Sequence, residues 1–233
     1  MPEPFWIDEY KKKAALADAV AQSGRGRQFE AVPFLHVVAE VLRLVEPRRD
    51  HDVLDVGCAN GLMDVILAAS CRSLLALDPV PEQVERAREH LAGVANVRVE
   101  VGDAARVPAP ESSFDRLLLF GVLQLIAPGE VRAGFRELCR VARPGARLVI
   151  GSIPDGARKD AFLGPYLEGV REAAHLSDEQ KRDILRRNEA AHWYPAEELI
   201  EWWRELGGRA RVQTLSPRDP DHDHRYHLVV ELA

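Results

Sequence analysis

Short apolar runs alternate with helix-like segments through the middle of the chain, and this alternation restricts the fold more than any other feature. Five of the runs have the length of a strand, namely residues 52–56, 73–78, 96–103, 114–121 and 146–152. Helix-like segments with apolar residues at helical spacing lie between them, at residues 60–70, 81–93 and 128–142. Strands that alternate with helices are joined by right-handed crossovers. The pattern therefore predicts a parallel sheet covered by helices on both faces.

The segments on either side of this alternation predict additions to the sheet. The additional predicted helices lie at residues 4–22 and 29–45, within 155–190, and at 195–206. Two further strands that pair as a hairpin are predicted at residues 209–215 and 225–232. The predicted fold class is therefore α/β. It is a doubly wound, mostly parallel seven-stranded sheet with a C-terminal antiparallel hairpin strand, helices on both faces and an N-terminal helical addition.

The composition excludes several kinds of partner. The formal net charge is −6, and nucleic-acid binding needs clustered positive charge, so no nucleic-acid partner is expected. No apolar stretch approaches the roughly 18 residues of a membrane span, so no membrane partner is expected. Cys58, Cys71 and Cys139 lie far apart without a CxxC pair, which is typical of reduced thiols. Together with a first segment unlike a signal peptide, these features predict a cytoplasmic protein.

A glycine-bounded turn follows the first predicted strand, in the stretch VLDVGCANG at residues 53–61. Ligands of open parallel sheets bind at the carboxyl ends of the strands, where the strand order reverses, so this turn is a candidate ligand site. The dinucleotide fingerprint G-x-G-x-x-G needs glycine at three positions, and Ala59 and Leu62 occupy the second and third of them here. A nicotinamide or flavin dinucleotide is therefore the weaker interpretation.

The same stretch resembles the first motif of the class I S-adenosylmethionine-dependent methyltransferases, hhDhGxGxG. The one departure is Ala59 in place of the middle glycine, which the motif tolerates if the φ angle of Ala59 is negative. Acids end the next two predicted strands at Asp78 and Asp103, as in that family. The segments FDRLLLFGVLQLI (114–126) and ELCRVARPGARLVI (137–150) resemble the family's fourth strand and the helix, turn and fifth strand that follow. The close resemblance covers about residues 50–153.

This resemblance implies a domain plan and a cofactor. The plan is an N-terminal helical cap at residues 1–50 and a Rossmann-like methyltransferase core at 51–233, with a helical insertion on the substrate side at about 155–194. The cofactor is S-adenosyl-L-methionine, and the product is S-adenosyl-L-homocysteine. The ribose hydroxyls are then expected at Asp78, and the adenine amino group at Asp103. The residues expected to contact the cofactor are Asp55, Gly57, Cys58, Ala59, Gly61, Asp78, Pro79, Asp103, Ala104, Phe120 and Gly121.

Each of these residues also has a simpler structural explanation. The glycines can be plain turn residues, Asp55 and Asp78 can cap the helices that follow them, and Asp103 can be a surface acid. Acids at the ends of three successive strands favour the ligand site over these separate explanations. Two other functions stay open at this point, namely a nicotinamide-dependent Rossmann oxidoreductase and a non-catalytic relative that binds the cofactor.

The methyl acceptor is expected to be a small molecule methylated on oxygen or nitrogen, by a monomer or a homodimer. His192 is the first candidate for a general base, since a hydroxyl acceptor needs one. Gln124 stands where many relatives have histidine, so no base is expected there. Trp193 and Tyr194 either line the acceptor pocket or pack against the next helix as a hydrophobic staple, and the sequence leaves both alternatives open. The expected substrate-binding residues are Tyr10, Gln124, Trp193 and Tyr194.

Two polar stretches are expected to be ordinary turns. The stretch SGRGR at residues 23–27 could form an anion-binding nest, but glycine and serine commonly punctuate helices. The stretch DPDHDHRYH at residues 219–227 gathers three histidines and three aspartates without a recognised ligand spacing. No metal site is therefore predicted.

Overall fold

The computed structural model describes residues 4–23 and 31–233, and most of the SGRGR stretch lies outside these residues. Within them, the chain forms one seven-stranded sheet with the strand order β3-β2-β1-β4-β5-β7-β6. The strands are β1 (Asp52–Val56), β2 (Ser73–Asp78), β3 (Val97–Val101), β4 (Phe114–Phe120), β5 (Ala142–Pro154), β6 (Arg209–Thr214) and β7 (Arg225–Glu231). Strand β7 is antiparallel to both of its neighbours, and the other pairs are parallel. The predicted fold class is confirmed.

The helices cover both faces of this sheet. They are α1 (Phe5–Ala14), α2 (Ala19–Gln22), α3 (Ala31–Val45), α4 (Asp64–Ala68), α5 (Pro81–His90), α6 (Pro128–Val141), α7 (Lys159–Glu172), α8 (Asp178–Ala190) and α9 (Ala196–Glu205). One hydrophobic core joins α6 and α9 to the sheet, and its fully buried Trp203 stacks on Phe135 with ring centroids 4.4 Å apart. A second core, which includes Val41 and Leu118, joins α3 and α4 to the other face. Among the described helices, none combines the length and apolar character needed to cross a bilayer.

Several predicted boundaries are wrong, and each has a local cause. The helix predicted over residues 4–22 breaks after Ala14, because the side chain of Asp18 accepts the backbone N–H of Ala21 at 2.8 Å and starts α2. The helix predicted over 60–70 is reduced to α4, since residues 59–62 still belong to the glycine turn. Helix α6 ends at Val141 and runs directly into β5, so the Pro144–Gly145 step lies inside the strand instead of stopping the helix.

The predicted domain boundary at residue 50 stays a prediction. Helix α3 belongs to the predicted cap by position, yet Val37, Val41 and Leu44 pack into the core beneath β1 and β4. Helices α1 and α2 instead contact α5 and the loop after β1 through side-chain hydrogen bonds. The N-terminal addition therefore has two parts, one packed on the sheet and one packed at its carboxyl edge.

The strand order reverses between β1 and β4, so the carboxyl ends of these two strands diverge and leave a crevice. The glycine turn follows β1 at this point. This arrangement brings the ends of β1, β2, β3 and β4 to one edge of the sheet, below α1 and the end of α8.

Candidate functional site

A cavity of about 860 Å³ lies at this carboxyl edge. Every residue expected to contact the cofactor lines it except Gly61. The remaining lining comes from α1, α3, the turn between β1 and α4, the loop after β4, α6 and the end of α8, and includes Phe5, Trp6, Tyr10, Phe34, Val37, Asn60, Met63, Val122, Ile126, Glu130 and His192. The topological crevice is thus enclosed into a cavity by elements from four regions of the sequence.

Gly57 is required by both backbone conformation and space. Its φ angle is +84°, and a Cβ built on it would lie 2.2 Å from Cγ2 of Val122. Its backbone N–H donates to the carbonyl of Leu77 at 2.7 Å, which fixes the turn against β2. No other residue type could bring the backbone this close to the loop after β4.

Gly61 has a packing role and does not line the cavity, contrary to its prediction as a cofactor contact. Its φ angle is +70°, and an added Cβ would lie 2.9 Å from Cβ of Ala87 and 2.9 Å from Cδ1 of Leu91. The glycine therefore allows the turn to pack closely on α5.

Ala59 adopts a left-handed conformation, with a φ angle of +48°, so the condition of a negative φ angle, under which the motif tolerates alanine, is not met. Its backbone N–H donates to Oδ2 of Asp78 at 2.9 Å. A non-glycine residue in this region costs about 1–2 kcal/mol, and this hydrogen bond to a carboxylate offsets the cost. The backbone therefore follows a glycine-like path although the residue is alanine.

Asp78 joins the glycine turn after β1 to the residue that precedes α5. Its Oδ2 holds Ala59, and its Oδ1 accepts the backbone N–H of Val80 at 2.9 Å. Val80 is itself the N-cap residue of α5, so the alternative in which Asp78 caps that helix is wrong. Burial raises the pKa of Asp78 to about 6, although the two backbone hydrogen bonds act in the opposite direction. Each oxygen keeps a further lone pair for a donor in the cavity.

Asp103 and Ala104 form the far end of the cavity. Asp103 is exposed, and its Oδ1 accepts the backbone N–H of Ala105 at 2.9 Å. Ala104 is buried against Gly134 of α6, where an added Cβ would lie 3.4 Å from Cβ of Ala104. This small-residue contact leaves a narrow space between the loop after β3 and α6.

Asp55 supplies a buried carboxyl at the end of β1. Its side chain is 4% exposed, lines the cavity, and its Oδ1 has no hydrogen-bond partner among the described residues. Burial raises the pKa of Asp55, and the charge of Asp78 raises it further. A buried and unpaired carboxylate oxygen of this kind favours a cationic or hydrogen-bonding ligand group.

Aromatic side chains from α1, α3 and β4 form part of the cavity wall. Phe5, Trp6 and Tyr10 come from α1, and Phe34 comes from α3. Phe120 at the end of β4 lies against Gly151, where an added Cβ would lie 2.0 Å from its ring. Its ring also stacks on buried His227, with ring centroids 5.9 Å apart. The spacing of Trp6 and Tyr10 places both on one face of α1, a signal that could have added Trp6 to the predicted site.

His192 is the predicted general base, and it lines the cavity. Its backbone N–H donates to the carbonyl of Gln124 at 3.0 Å, which ties the end of the insertion to the loop after β4. Burial and the nearby charge of Lys159 lower the pKa of His192. The imidazole is therefore neutral near pH 7 and can accept a proton.

Three residues expected to bind substrate do not line the cavity. The amide of Gln124 donates back to the carbonyl of Gly121 at 2.7 Å. Trp193 packs on Phe162 and His224, with ring centroids 6.1 Å and 6.2 Å away.

Tyr194 is 3% exposed and packs edge-on against Trp202 of α9. Of its two predicted roles, packing against the next helix therefore describes it better than lining the acceptor pocket. Of the four predicted substrate residues, Tyr10 does line the cavity.

The histidines of residues 219–227 do not converge. His224 stacks on Phe162, with ring centroids 3.6 Å apart, while Nδ1 of buried His227 accepts the backbone N–H of Ser152 at 3.0 Å. Within residues 4–23 and 31–233, no group of three or more histidine, cysteine, aspartate or glutamate side chains is arranged to hold a metal ion.

Comparison with known proteins gives a consistent result. Residues 53–145 match a family model described as "Methyltransferase domain". A demethylmenaquinone methyltransferase of Clavibacter sepedonicus is 29% identical over 175 residues, which cover 73% of this chain and 70% of that protein. A protein-L-isoaspartate O-methyltransferase of Methanopyrus kandleri is 28% identical over 156 residues, which cover 64% of each chain.

A solved structure of Haemonchus contortus phosphoethanolamine N-methyltransferase 1 superposes with a TM-score of 0.74 at 16% identity. It is in complex with phosphoethanolamine and S-adenosylhomocysteine, and the match covers 97% of this chain and 47% of that one. At this identity the likeness concerns the fold.

Proposed function

We propose that the chain, whose residues 53–145 match a methyltransferase family model, is a class I S-adenosylmethionine-dependent methyltransferase that methylates an oxygen or nitrogen of a small, largely apolar acceptor. The observation that carries this proposal is the shared cavity: acids from the ends of three successive strands and a glycine turn line one space with an aromatic wall. A nicotinamide oxidoreductase would need its second and third glycines where Ala59 and Leu62 stand.

The cavity residues fit the cofactor. The tight turn at Gly57, where a side chain would collide with Val122, leaves bare backbone for close approach by a ligand. The unpaired Oδ1 of buried Asp55 suits an ammonium group. When bound, S-adenosylmethionine supplies an electrophilic methyl group on a sulfonium sulfur. We assign its ribose to Asp78 and its adenine to Asp103 and Ala104.

The protein's own contribution to the reaction is mainly positioning. A bound nucleophile held at attack distance gains roughly 7–11 kcal/mol relative to free reactants. Aromatic side chains of α1 and α3 are proposed to hold a flat or apolar acceptor, since Trp6 and Phe34 face the same cavity as the strand ends. His192 is proposed to take the proton of a hydroxyl acceptor, and its lowered pKa keeps it unprotonated near pH 7.

The size of the cavity supports a small acceptor. Its volume of about 860 Å³ has to hold both the cofactor and the acceptor, and ligand pockets span about 300–1,000 Å³. The related demethylmenaquinone methyltransferase is named for a small molecule, whereas the isoaspartate enzyme is named for a protein. Aromatic side chains of α1 line the cavity and take up part of its wall, which favours the small molecule for this chain.

The test of the cofactor is a thermal-shift and calorimetric titration with S-adenosylhomocysteine and, separately, NADH. We expect a concentration-dependent rise of Tm with S-adenosylhomocysteine only, because a ligand of the native state stabilises by mass action. A shift with NADH alone would overturn the proposal.

The test of the acceptor uses methyl-labelled S-adenosylmethionine with a panel of apolar hydroxyl and amine compounds, and an isoaspartyl peptide as the protein-type acceptor. Label in the peptide alone would contradict the small-molecule acceptor, while leaving the cofactor assignment intact. A noncatalytic protein would bind the cofactor and label neither class.

A further inference from the structure

Two carboxyl groups are buried together beneath the glycine turn. Asp64, the first residue of α4, is fully buried, and neither of its oxygens has a conventional hydrogen-bond partner among the described residues. Asp55 is 4% exposed, and its Oδ1 is likewise without such a partner. Isolated buried carboxylates are expensive, so a pair of them needs an explanation.

The two carboxyl groups lie within interaction range of each other, and no other group supplies a hydrogen bond to either oxygen of Asp64 or to Oδ1 of Asp55 among the described residues. A hydrogen bond between two carboxyl groups requires a proton on one of them. Among the described residues no lysine, arginine or histidine forms an ion pair with either group. The other titratable groups that act on this pair, or on which it acts, are Asp78, Cys58 and Cys71, and all three are acids.

The pair is asymmetric with respect to the cavity. Asp55 lines the cavity, whereas Asp64 does not. Burial and the neighbouring charge of Asp55 raise the pKa of Asp64 well above its usual range. The hydrogen bond from Asp64 acts in the opposite direction on Asp55 and lowers its pKa against the effect of burial. Asp64 is fully buried and does not line the cavity, whereas Asp55 lines it and can meet a cation there, so the proton belongs on Asp64 and the charge belongs on Asp55.

We propose that Asp64 is a positioning residue that stays protonated and donates a hydrogen bond to Asp55, which directs the ionised carboxylate of Asp55 toward a cationic ligand group in the cavity. This inference rests on the proposed function, because the ammonium group of S-adenosylmethionine is the cation concerned. An uncharged acid that serves as a hydrogen-bond donor is a known use of a buried carboxyl group.

The test compares two substitutions of Asp64 that remove the acid in opposite ways. In Asp64→Asn an amide still donates to Asp55, while Asp64→Leu fills similar space without a donor. We expect the affinity for S-adenosylhomocysteine, measured by calorimetry, to stay within about threefold of wild type for Asn. For Leu it should fall about tenfold or more, as when a hydrogen bond to a charged group is lost.

The pH profile of this affinity separates positioning from simple packing. Wild-type affinity should fall on acidification as Asp55 takes up a proton, and the Leu variant should show that fall at higher pH because its Asp55 has lost a donor. The Tm of the ligand-free Leu variant should equal or exceed that of wild type, since replacing a buried acid by an apolar residue relieves desolvation. Stability and affinity would then move in opposite directions.

Infrared spectroscopy of the ligand-free protein provides a readout independent of binding. At pH 8 the wild type should show the carbonyl stretch of a protonated carboxylic acid, and Asp64→Asn should lack it. Absence of this band in the wild type, or Leu binding as tightly as Asn, would overturn the role of Asp64. If S-adenosylhomocysteine binds to no variant, wild type included, the proposed function fails, and the assigned ligand group fails with it even where the infrared band is present.

Discussion

The strand-end edge of the site and its helical cover are built in different ways. The strand-end edge consists of the last residues of β1, β2 and β3 and the residues that follow each of these strands. The helical cover consists of α1, α2 and α8. At the strand-end edge the turn is fixed through its own backbone N–H groups. Those of Gly57 and Cys58 both donate to the carbonyl of Leu77, at 2.7 Å and 3.0 Å. Those of Ala59 and Val80 donate to the buried carboxylate of Asp78. Positions fixed in this way tolerate little change.

The helical cover is held by side chains. The amide of Asn60 donates to the carbonyl of Ala19 at 2.7 Å and to Oε1 of Gln22 at 3.1 Å. The amide of Gln83 donates to the carbonyl of Tyr10 at 2.9 Å. The guanidinium of Arg186 in α8 lies 5.1 Å from the ring centroid of Phe5 in α1. Each of these contacts can be lost one at a time.

From this difference we infer that cofactor binding and acceptor selection depend on different parts of the molecule. We propose that the strand-end edge, whose geometry follows from the sheet, binds the cofactor, which has a constant shape. We propose that the helical cover, whose contacts depend on individual side chains, binds the acceptor. We therefore expect substitutions at the strand-end edge to affect stability and cofactor affinity together, and substitutions in the helical cover to leave cofactor affinity almost unchanged.

The largest expected effect comes from Gly57→Ala. Alanine at a φ angle of +84° costs about 1–2 kcal/mol, and the contact at 2.2 Å with Val122 adds overpacking of about 1–3 kcal/mol. We expect a marked fall in Tm and in the affinity for S-adenosylhomocysteine, measured by calorimetry.

The matched control is Gly93→Ala, which has the same φ angle of +84° and no atom within 4 Å of the added Cβ. It should lose only the conformational part of the stability and keep its affinity. Equal effects at both positions would contradict a close-packed strand-end edge.

The strand-end edge could be predicted from sequence, and the reason is periodicity. Strands such as β1 and β2 are buried apolar runs, and parallel strands place their terminal residues at one edge whatever the details of packing. Asp55, Asp78 and Asp103 therefore line one cavity, as expected from their positions at the ends of parallel strands. The φ angle of Ala59 could not be predicted, because it depends on the hydrogen bond from Ala59 to Asp78.

The helical cover was predicted less well, because tertiary contacts decide which face each residue turns inward. Trp193 and Tyr194 are adjacent, and one packs on Phe162 while the other enters the core beside Trp202. Gln22 and Asn60 are far apart in sequence, and no local pattern signals that their amides meet in a buried network. The break between α1 and α2 likewise depends on one capping side chain.

The next effect in size is expected from Asp78→Ala. The backbone N–H groups of Ala59 and Val80 would lose their acceptor, and so would the proposed ribose hydroxyls. We expect the affinity for S-adenosylhomocysteine to weaken by about 1–3 kcal/mol, the range for partnered polar groups left unmet. The control is Glu82→Ala, an exposed acid in the first turn of α5. Unchanged affinity in Asp78→Ala would refute the ribose assignment.

A smaller and more local effect is expected from Gln22→Ala in the helical cover. Asn60 would lose one of two acceptors, so docking of α1 and α2 should weaken by about 0.5–1.5 kcal/mol. Amide hydrogen exchange in residues 4–23 should accelerate, while the affinity for S-adenosylhomocysteine stays within about threefold. Lys12→Ala, at an exposed position of α1, is the control. A large loss of cofactor affinity would mean that the strand-end edge and the helical cover are not separable.

The smallest expected effect concerns the protonation of His192, at the end of the helical cover. Burial is the main cause of its lowered pKa, and the positive charge of Lys159 contributes because it disfavours the imidazolium form. In Lys159→Ala the pKa of His192 should rise toward its ordinary value without reaching it, as the burial remains. Histidine NMR titration measures this shift directly, and Lys181→Ala, in α8, should leave the signal unchanged. If His192 acts as the base, the acid limb of kcat/KM moves to higher pH in the same variant. The reason is that a higher pKa leaves a larger fraction of His192 protonated, and so unable to accept a proton, at any given acidic pH. An unmoved His192 titration would show that the charge of Lys159 is screened, and that burial alone sets the proton affinity at this end of the site.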